Sequence, residues 1–508
     1  MGRAKALKLN MITGWLSEII TMISGLVLPR LILVAFGSDC NGLIGAIVQY
    51  LGFAAVLRSG VGAVTRAALY KPIAEGDQDA INSIMVSTQN YMKKVSTWIG
   101  IYILAFAIVF PFVAKSGYSW GYTFSMVLII GTMTLVDNLF GIKYKILLQA
   151  DQKYFIQTLG QVASQIVTLI VSVVLIKVSN SMHIVKIGAT LASFVNPMLL
   201  YAYVKRNYSI DFTAKPDDNA IKQRWDAFAQ QMATIVNNNV GLVILSFFVT
   251  MKEVSVYTVH HMVAFNIEKV VNSMVNGINS TFGDVIARGE DENLKKIFRF
   301  IEWALFALCA TLFAVTAVML TPFVKIYTTS ITDVNYIRPV FAIVMSAAAM
   351  INCMRIPYQM LVEAAGRFKE TRNDSIREVI VNLVLSGVLT YFFGIIGVVL
   401  GTFIAASIRT LQYAVFAMKH ILKISPWHLL KTYFLYMFMF LVITLGCKVI
   451  IPIPENLNYF TWAIYAAIVT VIATVVIATI SILFNRRELI YLKDRIVRKY
   501  AKPRGDKI

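Results

Sequence analysis

The chain has 508 residues, 58% of them hydrophobic and only 15% charged, with 47 Lys and Arg against 27 Asp and Glu for a net charge of +20. A soluble chain carries about 25% charged residues, so this one cannot wet its own surface and must use lipid as the solvent for much of its length. The length allows about twelve to fourteen spanning helices of about 20 residues and excludes spans plus a sizeable soluble domain.

The N-terminal MGRAKALKLN is basic and leads into an apolar run from Met11 to Phe36. That run is too long for the apolar core of a signal peptide and lacks a small-residue cleavage site, so it is expected to be a retained first span. Further apolar runs fall at 41–70, 95–114, 122–148, 155–178, 184–204, 228–250 and 254–283. The series continues at 297–321, 337–364, 374–393, 395–418, 428–450 and 459–484, with Gly394 and Gly397 making a very short turn between two of them. These runs predict an all-α polytopic membrane protein with about 14 transmembrane helices.

Charge tests that reading. With the N-terminus inside, about 33 of the 47 Lys and Arg fall on the inner side, about 7 outside and about 7 within spans. Lys93–Lys94, Lys205–Arg206, Lys295–Lys296 with Arg299, and Arg367–Lys369–Arg372 all lie in inner loops. Both termini are therefore expected to be cytoplasmic, and the net charge reads as topology rather than as a nucleic-acid footprint. The longest hydrophilic stretches are KRNYSIDFTAKPDDNAIKQRW from Lys205 and the basic tail from Asn485. The first reads as a linker between halves, and the second as a basic amphipathic helix on the anionic inner leaflet.

A faint repeat supports two halves. PIAEGDQDAINSI from Pro72 matches VIARGEDENLKKI from Val285, pairing Gly76 with Gly289 and the acids Asp77 and Asp79 with Glu290 and Glu292. The spacing fits a six-span repeat, so two six-helix lobes related by a pseudo-two-fold axis along the membrane normal are expected. The predicted division is 1–206 for the N-terminal lobe, 207–227 for a cytoplasmic linker and 228–420 for the C-terminal lobe. Residues 421–484 form two additional transmembrane helices, and 485–508 the basic cytoplasmic tail.

Chemistry-bearing motifs are sparse. The cysteines Cys40, Cys309, Cys353 and Cys447 are scattered singly, and His260–His261 is an adjacent pair whose rings point about 100° apart on a helix, so no metal site is expected. No Walker A, GxSxG or HExxH pattern occurs. The chain is expected not to be an enzyme, and to need no cofactor beyond a coupling H+ or Na+.

Intramembrane charges are the informative residues, because each costs at least about 2.5–3.5 kcal/mol at mid-bilayer. They are Glu18 and Arg30 in the first run, Arg58 and Arg66 in the second, Asp137 in the fourth, Glu268 and Lys269 in the eighth, Arg355 and Glu363 in the tenth, and Arg409 in the twelfth. Arg58, Gly62 and Thr65 share one helical face, as do Lys269, Asn272, Asn276 and Asn279, flanked by Ser273 and Ser280. These stripes predict a wet, cation-lined cavity shared with Asn237, Asn238 or Asn239. Arg58, Lys269, Arg355 and Arg409, with Asn237, Asn272 and Asn276, form the predicted substrate set. Arg30 and Arg66 are its outer members, near span ends where long side chains snorkel. Glu302, near the start of the ninth run, is expected to be interfacial. Guanidinium forks bind phosphate and amides suit sugar hydroxyls, so an anionic, hydroxyl-rich substrate is predicted.

The layout, with the GxGxxxRxxL-like second span (Gly60, Gly62, Arg66, Leu69), resembles the MOP exporter superfamily, and within it the Wzx-type polysaccharide flippases of bacteria. The resemblance implies alternating access in the bacterial cytoplasmic membrane and a polyprenyl-pyrophosphate-linked oligosaccharide moved from the inner to the outer leaflet for cell-surface polysaccharide biosynthesis. It further implies that the pyrophosphate meets Arg58, Lys269, Arg355 and Arg409, with Glu18 or Asp137 as an ion-coupling group. The partners it implies are a lipid-linked anionic glycan, membrane lipids and a neighbouring glycan polymerase or glycosyltransferase, and no nucleic acid. MATE-like ion-coupled drug efflux and lipid II flipping are the transporter alternatives. A membrane glycosyltransferase or polymerase is the enzyme alternative, although Asp333 is the sole acid of the longest outer loop.

Overall fold

The computed structural model describes residues 3–58, 61–217, 232, 235, 239–275, 278–452, 454 and 456–484. The described residues are helical almost throughout, with no strand among them. The helices form two compact units, one of Met1–Thr258 with Ser330–Val334, the other of Val259–Thr329 with Asn335–Ile508.

Eleven helices among the described residues are long and apolar enough to cross a membrane, fewer than the runs in the sequence. Three runs account for the difference. The first two are joined in one long helix, α1 (Arg3–Gly52), interrupted by Gly37 at φ 81°, a conformation that favours glycine. Most of the run at 228–250 lies outside the described residues, leaving a short apolar helix, Asn239–Phe248 (α10). The run at 254–283 does form helices (α11, Met251–Val275, and α12, Ile278–Ala287), but its polar stripe lowers its hydropathy.

In the first unit α2 (Ala54–Arg58) and α3 (Val61–Glu75) continue the second run, followed by α4 (Gln78–Val113), α5 (Trp120–Val136), α6 (Ile142–Ala150), α7 (Tyr154–Val178), α8 (Met182–Ser193) and α9 (Val195–Asn207). α7 is the central strut, packed on α1, α8 and α9, while α4 packs on α5 and α3. After the Gly37 kink the restarting helix is capped by Asp333, whose carboxylate accepts from the Ser38 backbone N–H at 3.0 Å and from Ser38 Oγ at 2.6 Å. The start of the predicted linker is docked on this unit. Ile210 and Phe212 pack on a core containing Leu69, Met85 and Leu147, and Tyr208 donates to Asp151 at 2.5 Å. Burial and that carboxylate hold the Tyr208 phenol above its ordinary range.

In the second unit α13 (Asp291–Tyr327) packs on α14 (Pro339–Met354), α18 (Trp427–Ile450) and α19 (Tyr459–Phe484). α15 (Ile356–Ala364) packs on α12, and α16 (Phe368–Phe393) lies closely along α17 (Ile395–Phe416). The short turn expected between these last two is one residue, Gly394 at φ 56°. The repeated loop of the sequence has the same local form in both units. Gly76 and Gly289 turn at φ 73° and 69°, and the acids that follow them, Asp77 and Glu290, occupy the N-cap positions of α4 and α13.

Large apolar side chains such as Phe112 and Val178 are about four-fifths exposed. Such a surface suits a hydrocarbon solvent and no aqueous one.

Candidate functional site

In the first unit the second run is not one helix. It breaks after Gly52, at Phe53, and resumes as the helix that carries Arg58. Broken helices at membrane depth are tolerated where they line a cavity or are buried in protein. Opposite, α5 passes into a π-helical turn, Asp137–Gly141, before α6 resumes. π-turns re-aim side chains and concentrate at functional sites. This one presents Asp137 to two cations: Lys145 Nζ at 2.5 Å from Oδ1 and Arg58 Nη1 at 3.8 Å from Oδ2. Gly141 makes that placement possible, since a Cβ there would stand 2.7 Å from Asp137 Oδ1.

The three charges line a cavity of about 380 Å³ whose lining, among the described residues, belongs to this unit. Gln161 and Gln165 of α7 and Asn196 of α9 supply amides, and Thr134, Ser164 and Ser193 supply hydroxyls. Gln165 is braced by Thr21, donating to its Oγ1 at 2.9 Å. Asn196 is 8% exposed, and its Oδ1 has no hydrogen-bond partner among the described residues. One carboxylate between two cations leaves the lining at a net +1. Arg58 holds its partner loosely, and its fork keeps donors free.

The second unit treats its cations differently. Arg409 is 1% exposed and its guanidinium is enclosed: Nη2 donates to Ser375 Oγ at 2.6 Å and to the Thr371 carbonyl at 3.2 Å, and Tyr413 stacks 3.7 Å beneath it. Glu378 bridges it to Arg355, at 3.5 Å and 2.8 Å, and Asp374 adds a longer contact at 3.9 Å. Asp374 also pairs with Arg377 at 3.2 Å, so the two guanidiniums sit in a network of opposite charges. Glu268 accepts from Asn352 and lies near Arg355. Lys269 is half-buried with Nζ 5.0 Å from the Phe265 ring centre, and Asn272 is exposed and donates to the Glu268 carbonyl.

The remaining predicted residues are dispersed. Arg66 donates to Gln149 at 2.6 Å, beside the first cavity but outside its lining. Arg30 is half-buried on α1 just past Pro29, and Glu18 is exposed on the same helix. Asn237 and Asn276 lie outside the described residues, and Asn239 packs against the backbone of Gly52. Glu302 is 1% exposed and accepts from Tyr358, on α13, which begins at Asp291.

Lys145, Asn196, Gln161 and Glu378 are not singled out by the sequence reading. Gln161, Ser164 and Gln165 stand at i, i+3 and i+4 on one face of the predicted fifth span, the same signal that marks α11. Of the partners of Arg355 and Arg409, Thr371 precedes the apolar run of α16, while Asp374, Ser375 and Glu378 stand in its first turns.

No protein-family model matches the chain, and no curated protein matches it significantly. Solved structures do. A lipid II flippase, MurJ, in an inward closed conformation superposes with a TM-score of 0.68 at 16% identity, over 95% of this chain and 99% of that one. A multidrug resistance MATE family transporter of the MOP superfamily, inward-facing, gives 0.63 at 15% identity over 83% and 100%. A Vibrio cholerae MATE transporter, in a point-mutant form, gives 0.57 at 14% identity over 84% and 99%. The chain therefore shares the all-helical fold of these solved structures.

Proposed function

We propose that the protein is an alternating-access flippase of the bacterial cytoplasmic membrane that moves a polyprenyl-pyrophosphate-linked oligosaccharide outward for surface-polysaccharide assembly. The observation that carries this reading is the cationic, amide- and hydroxyl-lined cavity around Arg58. A half-buried guanidinium with spare donors suits a phosphate or carboxylate, and neighbouring amides suit sugar hydroxyls. A carrier of lipophilic cations would instead concentrate negative charge there. The four cations of the sequence divide into different roles on this reading. Arg58 meets cargo and Lys269 is held as a second contact, whereas Arg355 and Arg409 brace the second unit through Glu378. The MOP-type fold supports transport by rearrangement of two units, a mechanism that asks no catalytic group of the chain. Asp333, the acid an external active site would need, is occupied in capping Ser38.

A lipid II flippase is the second reading, favoured by the neighbour that covers 95% of the chain. Depletion in the native host separates the two. The primary reading expects lipid-linked oligosaccharide to build up on the inner leaflet while peptidoglycan synthesis continues. Arrested peptidoglycan synthesis with normal surface polysaccharide would replace it by the second.

A further inference from the structure

Resting on the glycan reading, we propose that the cavity of the first unit is a self-contained selectivity pocket that seats a single sugar ring bearing an anionic substituent. Its volume of about 380 Å³ lies near the lower end of the roughly 300–1,000 Å³ of small-molecule sites, room for about one or two rings and not for an oligosaccharide. The described residues that line it all belong to the first unit.

Its chemistry has two parts. The anion is read by Arg58. Lys145 is committed to Asp137 by a close contact of 2.5 Å, whereas Arg58 stands 3.8 Å away and is the cation free to turn its fork to a ligand. The ring is read by neutral groups. Asn196 Oδ1 is buried and unpartnered among the described residues, an acceptor left unsatisfied unless something donates to it. A ligand hydroxyl supplies that donor, with Gln161 and Ser164 beside it. Gly160 is the positioning residue, because any Cβ there would press to 2.7 Å on Asn196 Oδ1. An inorganic anion would satisfy Arg58 and leave Asn196 unpaired. A neutral sugar would do the reverse. A sugar acid satisfies both.

The test is calorimetric titration of the full-length protein in detergent with glucuronate, glucose and inorganic phosphate. Saturable glucuronate binding is expected, with glucose and phosphate each at least about tenfold weaker. Arg58→Gln should weaken glucuronate about tenfold and leave glucose unchanged, and Asn196→Ala should weaken both sugars but not phosphate. Arg58→Lys, which keeps the charge and loses the fork, serves if Arg58→Gln does not fold, and should also lower the preference. Equal binding of the two sugars, no saturable sugar binding, a preference that survives the Arg58 variants, or phosphate binding as tight as glucuronate overturns the pocket. Specific glucuronate binding by a protein that moves no lipid-linked glycan would keep the pocket and remove the flippase reading. Glycan export by a protein that binds both sugars equally would do the opposite.

Discussion

Glu378→Gln decides whether Arg355 and Arg409 are braces or cargo ligands. The carboxylate is 9% exposed and lies 2.8 Å from one guanidinium and 3.5 Å from the other. Glutamine keeps the shape and one acceptor oxygen but loses the charge, leaving Asp374, 3.9 Å from Arg409, and Glu268, near Arg355, as the acids around the two cations. Breaking a buried ion pair by removing one partner costs about 3–5 kcal/mol. Because Arg355 is 22% exposed and the glutamine oxygen still accepts, about 2–4 kcal/mol is the expected loss. Asp374→Asn is the control: its carboxylate is 26% exposed and distant, so about 1 kcal/mol or less should follow. Thermal unfolding of the tagged protein in detergent, followed by size exclusion, reads both. Glu378→Gln should melt well below Asp374→Asn, and the double variant Glu378→Gln/Arg355→Gln should recover part of the loss. Equal melting of Glu378→Gln and wild type, with export abolished, would refute the brace and return both arginines to the cargo path.

The other predictions concern close packing and the first cavity. Gly401→Ala should abolish accumulation of folded protein, because the added methyl meets the Ser386 backbone at 2.5–2.6 Å and forces α16 from α17; Gly387→Ala, with open space around it, should accumulate normally in the same blot. Gly141→Ala should displace Asp137 from Lys145 and reduce export more than melting temperature, measured side by side. Tyr358→Phe removes the phenol donor from buried Glu302 and should cost about 1–3 kcal/mol in thermal unfolding.

The membrane fold was legible because lipid leaves a chain few options. Every backbone polar group must be satisfied within the segment, so long apolar runs become helices. Gly394 was legible as a turn, and Gly76 and Gly289 as members of a repeated loop; each holds a positive φ that glycine adopts freely. What the sequence showed poorly was how far a helix continues past the apolar run. α16 starts at Phe368 and α13 at Asp291, and packing against neighbouring helices buries Glu378 and Glu302, which hydropathy does not reveal. A charge just inside a run boundary reads as interfacial, although its depth depends on which neighbouring helix covers it. Arg58 and Asp137 were recognisable as costly charges, but their meeting depends on a break in one helix and a π-turn in another. Neither irregularity has a hydropathy signal. Lys145 was invisible for the same reason, lying eight residues along a helix whose register the π-turn shifts.

The most direct test of the account is translocation itself, measured in proteoliposomes loaded with a fluorescent polyprenyl-pyrophosphate-linked oligosaccharide, by the fraction of glycan accessible to an added glycosidase. The wild-type protein should expose glycan from both leaflets, while Arg58→Ala and Lys269→Ala, inserted to the same level, should leave the inner-leaflet half protected. Full accessibility with both variants, or continued protection with the wild type, would contradict the account.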